Sequence, residues 1–373
     1  MAKALILYVD AGFGHRKVAE AVYQELMSRN QPNLEVEIFD ALTKTNPIFQ
    51  KSYPRSYFEM VVRAPWLWGF LFSLSNSASV YSLIYPLRTL WNWFQSIGLR
   101  KYIKNGNYDF IIFTHFFPAE VCATEKKKGN IHSTLITIVT DVIPHRVWEN
   151  KGTDTYWVMA KESLDMLIKF GVPSEKIKVK GIPINAQFLK PQDREQLLKK
   201  LDLQTNKATI LFTSGSFGIG PTEEALKSFD DLKDKIQVIA VCGNNKLLLE
   251  RLNHLKFNFP VRTFGFVSNM HELMSVSDIM VAKPGGATTC ESLVKNLPMI
   301  ITSAIPGQEQ ENAKWLTEHG AAFEIKETSD IEKFIKQILN DPQILERLKK
   351  STSQLAKPYA AQDLSNFIIE KIK

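Results

Sequence analysis

Apolar residues in this chain fall into short unbroken runs, separated by stretches in which they recur every three or four positions. Lys3 to Val9 is a run of the first kind, followed by a glycine-containing loop and a helical pattern from His15 to Arg29. Glu35 to Phe39, Asp109 to Thr114, Ser133 to Thr140 and Thr155 to Met159 repeat the strand-like pattern, each with a loop or helical stretch behind it. Such alternation predicts a parallel, doubly wound sheet. Between Asn46 and Asn105 the rhythm breaks: Ile84, Leu87, Trp91, Phe94 and Ile97 recur at helical spacing, so this stretch reads as amphipathic helices inserted in the first α/β domain. Gly181 to Pro191, with Pro183 inside it, reads as a hinge. A second series of strands follows at Thr209–Thr213, Ile236–Cys242, Val261–Phe266, Ile279–Ala282, Met299–Thr302 and Ala322–Ile325. From Ser329 the chain is helical to its end, punctuated by Pro342 and Pro358.

At 373 residues, the length suits two domains of ordinary size, and 45% hydrophobic with 23% charged residues is a globular composition. Cys122, Cys242 and Cys290 are far apart and read as buried thiols in a reducing compartment, not as a disulfide framework or a metal site. The net charge of +7 changes the picture because all of it resides in one place. Lys44 to Lys104 holds eight basic residues against Glu59 alone, together with 14 of the 40 aromatics and Trp66, Trp68, Trp91 and Trp93. Basic side chains beside indole rings are what a phospholipid surface attracts. The run Trp66 to Phe72 is too apolar for a groove that tracks nucleic-acid phosphates, so an anionic membrane is the expected partner and nucleic acid is not. No apolar run reaches the ~18 residues of a spanning helix, and Met1 to Asp10 lacks a secretory cleavage pattern. The expected location is therefore peripheral, on the cytoplasmic face of a membrane.

Candidate chemistry lies where predicted strands end, the place ligands occupy in doubly wound sheets. Lys283-Pro284-Gly285-Gly286-Ala287-Thr288-Thr289-Cys290-Glu291 joins a strand to a helix. Its glycines bring free backbone N–H groups and a positive helix end to an anion, for which a diphosphate is the natural guest. Thr288 and Thr289 offer hydroxyl donors, and Glu291 a carboxylate for a ribose diol. Thr213 to Gly218 is a second possible phosphate cradle. Gly265-Phe266-Val267 ends a strand whose backbone can pair with a base edge. Gln308 and Glu309, just inside a helix start, suit sugar hydroxyls. In the first domain, Gly12-Phe13-Gly14-His15 places an imidazole in the first turn of a helix, where it stays neutral and can accept a proton. Asp141 can orient a base or serve as one, and His145 and Arg146 can touch a headgroup. A Walker A lysine, a metal-ligand cluster and an Asp-x-Asp pair are all absent from the sequence.

Taken together, these segments resemble the inverting glycosyltransferases that glycosylate diacylglycerol, the plant-type monogalactosyldiacylglycerol synthases and bacterial diacylglycerol glucosyltransferases of glycosyltransferase family 28. The resemblance rests on Gly12 to His15, Thr140-Asp141 with His145 and Trp148, Gly181 to Ile184, Val241 to Asn245, Lys283 to Glu291 and Pro306 to Ala313. It implies a GT-B architecture of two Rossmann-like domains facing a cleft. An acceptor domain, 1–182, would carry the insertion 46–105 and be completed by a C-terminal helix, 357–373; a nucleotide-sugar domain would span 183–356. UDP-hexose is the implied donor, with no cofactor and no metal. Phe266 and Val267 would hold the uracil, Glu291 the ribose, and Ser216, Gly285, Gly286, Thr288 and Thr289 the diphosphate. Gln308 and Glu309 would read the hexose. His15, with Asp141 nearby, would activate the acceptor. Gly14, His145, Trp148, Arg55, Arg63, Trp66, Trp68, Arg88 and Trp91 would serve the acceptor or the membrane. Phe13 departs from the small residue or Asn usual in that loop. A more distant relative, the peptidoglycan N-acetylglucosaminyltransferase acting on a polyprenyl-linked acceptor, has further glycine-rich turns that Thr114 to Pro118 lacks. A UDP-N-acetylhexosamine epimerase on the same scaffold would need no aromatic insertion. A catalytically silent binding protein would need no base.

Overall fold

A computed structural model describes every residue except Ser216, Phe217, Ile219 and Lys373. The chain forms two compact units. The first takes in Met1–Ala186, Ile305–Glu311 and the C-terminal stretch from Lys357; the second takes in Gln187–Ala304 and Asn312–Ala356.

The first unit is built on β1 (Ala2–Tyr8), β2 (Leu34–Asp40), β3 (Phe110–Phe113), β4 (Thr134–Ile138), β5 (Thr155–Val158) and β6 (Ile177–Val179). They form one parallel sheet in the order β2-β1-β3-β4-β5-β6. Ala4 to Leu7 of β1 are fully buried, as a central strand covered on both faces requires. The sequence pattern does not reveal β6: three residues with Lys178 in the middle are too few to stand out, and pairing with β5 makes them a strand.

The second unit repeats the plan with β7 (Ala208–Thr213), β8 (Ile236–Val241), β9 (Val261–Phe264), β10 (Ile279–Ala282), β11 (Met299–Ile301) and β12 (Ala322–Glu324). Their order is β12-β11-β10-β7-β8-β9, again all parallel. Each sheet therefore has a switch point where consecutive connections leave in opposite directions, between β1 and β3 in one and between β7 and β10 in the other. Crevices for ligands open there, beyond the carboxyl ends of the strands.

Helix α1 (Phe13–Ser28) follows β1, and four helices fill the predicted insertion: α2 (Pro47–Arg63), α3 (Pro65–Asn76), α4 (Ala78–Gln95) and α5 (Ile97–Gly106). Asn46 caps α2, its side chain accepting the Ile48 N–H, with Pro47 at the first helical position. The insertion is anchored through charge. Helix α6 (Phe116–Lys127) carries Glu120, 1% exposed, which pairs with Arg88 of α4 at 2.7 Å and accepts from Thr89 at 2.6 Å. Glu125, equally buried, pairs with Arg100 and Lys104 of α5. Removing one member of a buried pair leaves an uncompensated charge and costs about 3–5 kcal/mol. Arg88→Met should therefore lower the thermal midpoint by several degrees, and adding Glu120→Leu should recover most of the loss. An unchanged midpoint in the single variant would show that this pair does not anchor the insertion.

Candidate functional site

The first switch point gathers the chemistry of the first unit. His15 is the third residue of α1, and its Nδ1 lies 2.6 Å from the carbonyl oxygen of Thr114, the residue just after β3. A carbonyl can only accept, so Nδ1 carries the proton and Nε2 keeps its lone pair. The Thr140 hydroxyl, 3.0 Å from Nδ1, fixes the ring from the β4 side. Burial lowers the imidazole pKa to about 4, with the Thr114 carbonyl opposing it. At neutral pH this is an unprotonated ring whose Nε2 has no hydrogen-bond partner among the described residues. His115 meets it edge-on at 4.7 Å, and Trp148 lies 6.4 Å away. At the exposed Gly14, a Cβ would meet nothing within 4 Å, so the helix start beside the histidine is open space.

Asp141 follows β4 and accepts the Trp148 indole N–H at Oδ2, 3.2 Å away. Its pKa is raised to about 6 by burial, opposed by the Trp148 hydrogen bond and reinforced by Glu309. Base and carboxylate are thus brought to one neighbourhood, linked through Thr140 and Trp148.

Several side chains expected to face lipid or acceptor are interior instead. His145 is 4% exposed; its Nδ1 accepts the Val147 N–H and its Nε2–H donates to the Phe72 carbonyl at 2.9 Å. Its ring packs 4.3 Å from that of Phe72, and burial draws its pKa down to about 4. This histidine straps α3 to the loop after β4. Trp148, 1% exposed, is core. Arg88 is committed to Glu120 and Tyr81. Trp68 is half-buried and donates its indole N–H to Gln308.

What the insertion does expose is apolar. Of the nineteen exposed large hydrophobic residues among those described, thirteen lie between Ile48 and Ile97, among them Trp66, Phe70 and Leu74 on α3 and Leu83, Leu87, Leu90, Trp91 and Phe94 on α4. Helix α4 is inverted relative to an ordinary surface helix: Tyr81 and Asn92 are buried, Arg88 is paired inward, and the apolar stripe faces out. Arg55 and Arg63 are exposed. Among the described residues, no helix is long and apolar enough to cross a membrane.

In the second unit, the turn after β10 leads into the helix Gly286–Val294, with Gly285 as its cap residue and no side chain capping the N-terminus. Its first N–H groups lie at the β7/β10 switch point. Asn312 donates to the Pro284 carbonyl at 2.9 Å and pins the turn. Thr288 is half-buried, whereas Thr289 is fully buried with no partner for its hydroxyl, so it cannot reach a bound diphosphate. Glu291 is 4% exposed. Phe266, 55% exposed, and half-buried Val267 follow β9. Ser216 lies outside the described residues. Gly218 has φ +62 and a Cβ there would fall 2.2 Å from Asn245 Cβ, so only glycine fits.

Gln308 and Glu309 open the helix Gln308–Glu318 and pack within the first unit, the unit of His15 and Asp141. Glu309 Oε2 accepts the Ile305 N–H at 2.8 Å, closing the Pro306-Gly307 turn. Gln308 Nε2 donates to the Tyr57 hydroxyl at 2.9 Å. Tyr57, Thr114 and His115 received no role from the sequence. The end of a strand adjacent to β1 could have flagged Thr114 and His115; nothing local marks Tyr57.

Two family models divide the chain between them. Residues 15–184 match the monogalactosyldiacylglycerol (MGDG) synthase domain, and residues 209–365 match the glycosyltransferase family 28 C-terminal domain. The chain belongs to the diacylglycerol glycosyltransferase family. A processive diacylglycerol β-glucosyltransferase from Bacillus pumilus is 29% identical, the match covering 99% of this chain and 95% of that protein. Among solved structures, MurG of Acinetobacter baumannii superposes with a TM-score of 0.64 at 13% identity, covering 99% of this chain and all of that one. The UDP-GlcNAc 2-epimerase of Neisseria meningitidis bound to UDP-GlcNAc gives 0.63 at 13% identity, with the same coverage. These likenesses show the fold: two Rossmann-like α/β domains of the GT-B type.

Proposed function

We propose that this chain transfers a hexose, glucose or galactose, from a UDP-sugar to 1,2-diacylglycerol, giving a β-glycosyl diacylglycerol. The observation that carries the reading is a neutral His15 with an unpartnered Nε2, set beside Asp141 at the switch point of an acceptor-type domain. The free hydroxyl of diacylglycerol gives its proton to Nε2. Its oxygen forms a bond to the anomeric carbon as the bond to the UDP oxygen breaks, and UDP leaves with that electron pair. Thr114 stabilises the imidazolium through the hydrogen bond already made to Nδ1. The leaving diphosphate finds its counter-charge in the N–H groups around Gly286, a donor arrangement of which each member is typically worth ~10²-fold in rate. Glu291, Thr288, Val267 and Phe266 serve the nucleotide. No step calls on a metal, so turnover is expected to survive EDTA.

The outward apolar stripes of α3 and α4, with Arg55 and Arg63 nearby in sequence, support docking on an anionic phospholipid surface. The protein then works peripherally on the cytoplasmic face, where nucleotide sugars are made. Incubation with UDP-glucose or UDP-galactose and diacylglycerol vesicles, followed by mass analysis of the lipid, tests the reading. A hexosyl diacylglycerol supports it; conversion of soluble UDP-N-acetylhexosamine without any lipid product favours the epimerase.

The two ionisable groups differ enough to be told apart. Activity that needs the ionised Asp141 carboxylate beside His15 is lost as pH falls through its pKa, so kcat/KM in the wild type is expected to show an acid limb near 6. In Asp141→Asn the rate is lower, and the limb moves down toward the His15 value of about 4. A limb that stays near 6 in the variant would show that Asp141 does not set it.

A further inference from the structure

Helix α3 and the Pro306–Gln308 turn approach until neither has room for another side chain. A Cβ on Gly69 would stand 2.7 Å from the Pro306 Cβ, and one on Gly307, at φ +92, would stand 2.7 Å from the Phe72 ring. At this contact the Gln308 amide is held at both ends. Its Oε1 lies 3.3 Å from Trp68 Nε1 and its Nε2 lies 2.9 Å from the Tyr57 hydroxyl. An indole nitrogen can only donate, so the oxygen must face Trp68 and the NH2 group must face Tyr57. The two aromatic rings are themselves locked edge to face at 5.3 Å, and Phe72 one turn along α3 is held by His145. The amide therefore cannot flip without losing both bonds. It keeps one N–H and one carbonyl lone pair unspent, a donor and an acceptor side by side in fixed order. That is the pattern that distinguishes one arrangement of sugar hydroxyls from its epimer.

We propose that Tyr57 and Trp68 are positioning residues that orient the Gln308 amide and thereby set which hexose the enzyme prefers. The proposal rests on the reading of Gln308 as the group that contacts the hexose. With the amide fixed, a donor sugar whose hydroxyls match gains both hydrogen bonds, and its epimer leaves a polar group unmatched. With the amide free to flip, each sugar finds a workable orientation, and each pays for fixing it. Discrimination falls and KM for the preferred donor rises, while the base chemistry at His15 is untouched.

The test measures kcat and KM for UDP-glucose and UDP-galactose with diacylglycerol in mixed micelles, in wild type, Trp68→Phe, Tyr57→Phe, Gln308→Ala and the Trp68→Phe/Gln308→Ala double variant. Losing one neutral hydrogen bond corresponds to about 2- to 10-fold. Trp68→Phe should raise KM for the preferred donor and narrow the selectivity ratio by that factor, with kcat changed less. Tyr57→Phe, which deletes only a hydroxyl and so spares the packing if the tryptophan variant folds poorly, should act in the same direction. Adding Trp68→Phe to Gln308→Ala should change selectivity no further. If Gln308→Ala loses selectivity while Trp68→Phe and Tyr57→Phe both keep it, the positioning role is overturned. If Gln308→Ala itself keeps selectivity and KM, the assignment of Gln308 to the hexose fails first, and the proposal falls with it.

Discussion

Replacing His15 with alanine should cut turnover by about 10²–10⁴-fold, the usual worth of a positioned general base. UDP binding, measured by calorimetry, should be unchanged, because the residues assigned to the nucleotide belong to the second unit and His15 belongs to the first. The expectation comes from tautomer geometry. The Thr114 carbonyl holds the proton on Nδ1, leaving Nε2 as the one ring position able to accept another. Burial keeps the ring neutral across the physiological range. Asp141 is the competing candidate, since a carboxylate with a pKa near 6 is also a workable base. Comparing the two variants decides between them. A His15→Ala enzyme with near-normal turnover, beside a dead Asp141→Asn, would transfer the role to the carboxylate.

The second large effect is expected at the membrane. Trp66, Phe70 and Leu74 are spaced four residues apart on α3, which puts them on one stripe, and they are 72%, 60% and 40% exposed. Burying each such side chain contributes about 1.5–3 kcal/mol. Replacing all three with serine should therefore abolish sedimentation with phospholipid vesicles. Their exposure predicts little change in thermal stability, and activity toward acceptor in mixed micelles should largely survive. Charge contributes less: neutralising Arg55 and Arg63 should weaken binding to anionic vesicles by about 1 kcal/mol per residue, an effect that fades with added salt. Unaltered vesicle binding in the triple-serine variant would sink the interfacial reading.

Much of the plan was legible in the runs of apolar residues, because a parallel strand buried on both faces has little choice of composition. Of the twelve strands among the described residues, eleven show a strand-like pattern, although the half-buried β2 and β9 mix polar residues into it, and β6 escapes because three residues carrying a lysine have no pattern to show. The loops after β1 and β10 were legible too, through glycine and the change of period, and the loop after β4 through the change of period alone. What sequence spacing does not disclose is which way a polar side chain turns. Thr288 and Thr289 look alike in the chain, yet a 100° step round the helix buries one hydroxyl completely. Arg88 counted toward a basic surface, although Tyr81, Arg88 and Asn92 share the side of α4 opposite its apolar stripe. The inward turn of that polar side follows from Glu120, which lies 32 residues further on. The two hydrogen bonds to Gln308 join positions some 240 residues apart, beyond the reach of any local pattern.

In the proposed reaction the hexose moves in a single displacement, with His15 taking the acceptor proton as the leaving diphosphate departs. The most direct measurement is the proton coupling at the anomeric carbon of the glycolipid formed from an α-linked UDP-hexose. The large coupling of a β-glycoside is predicted. An α-linked product would require two successive displacements through a covalent glycosyl-enzyme, and would contradict the account.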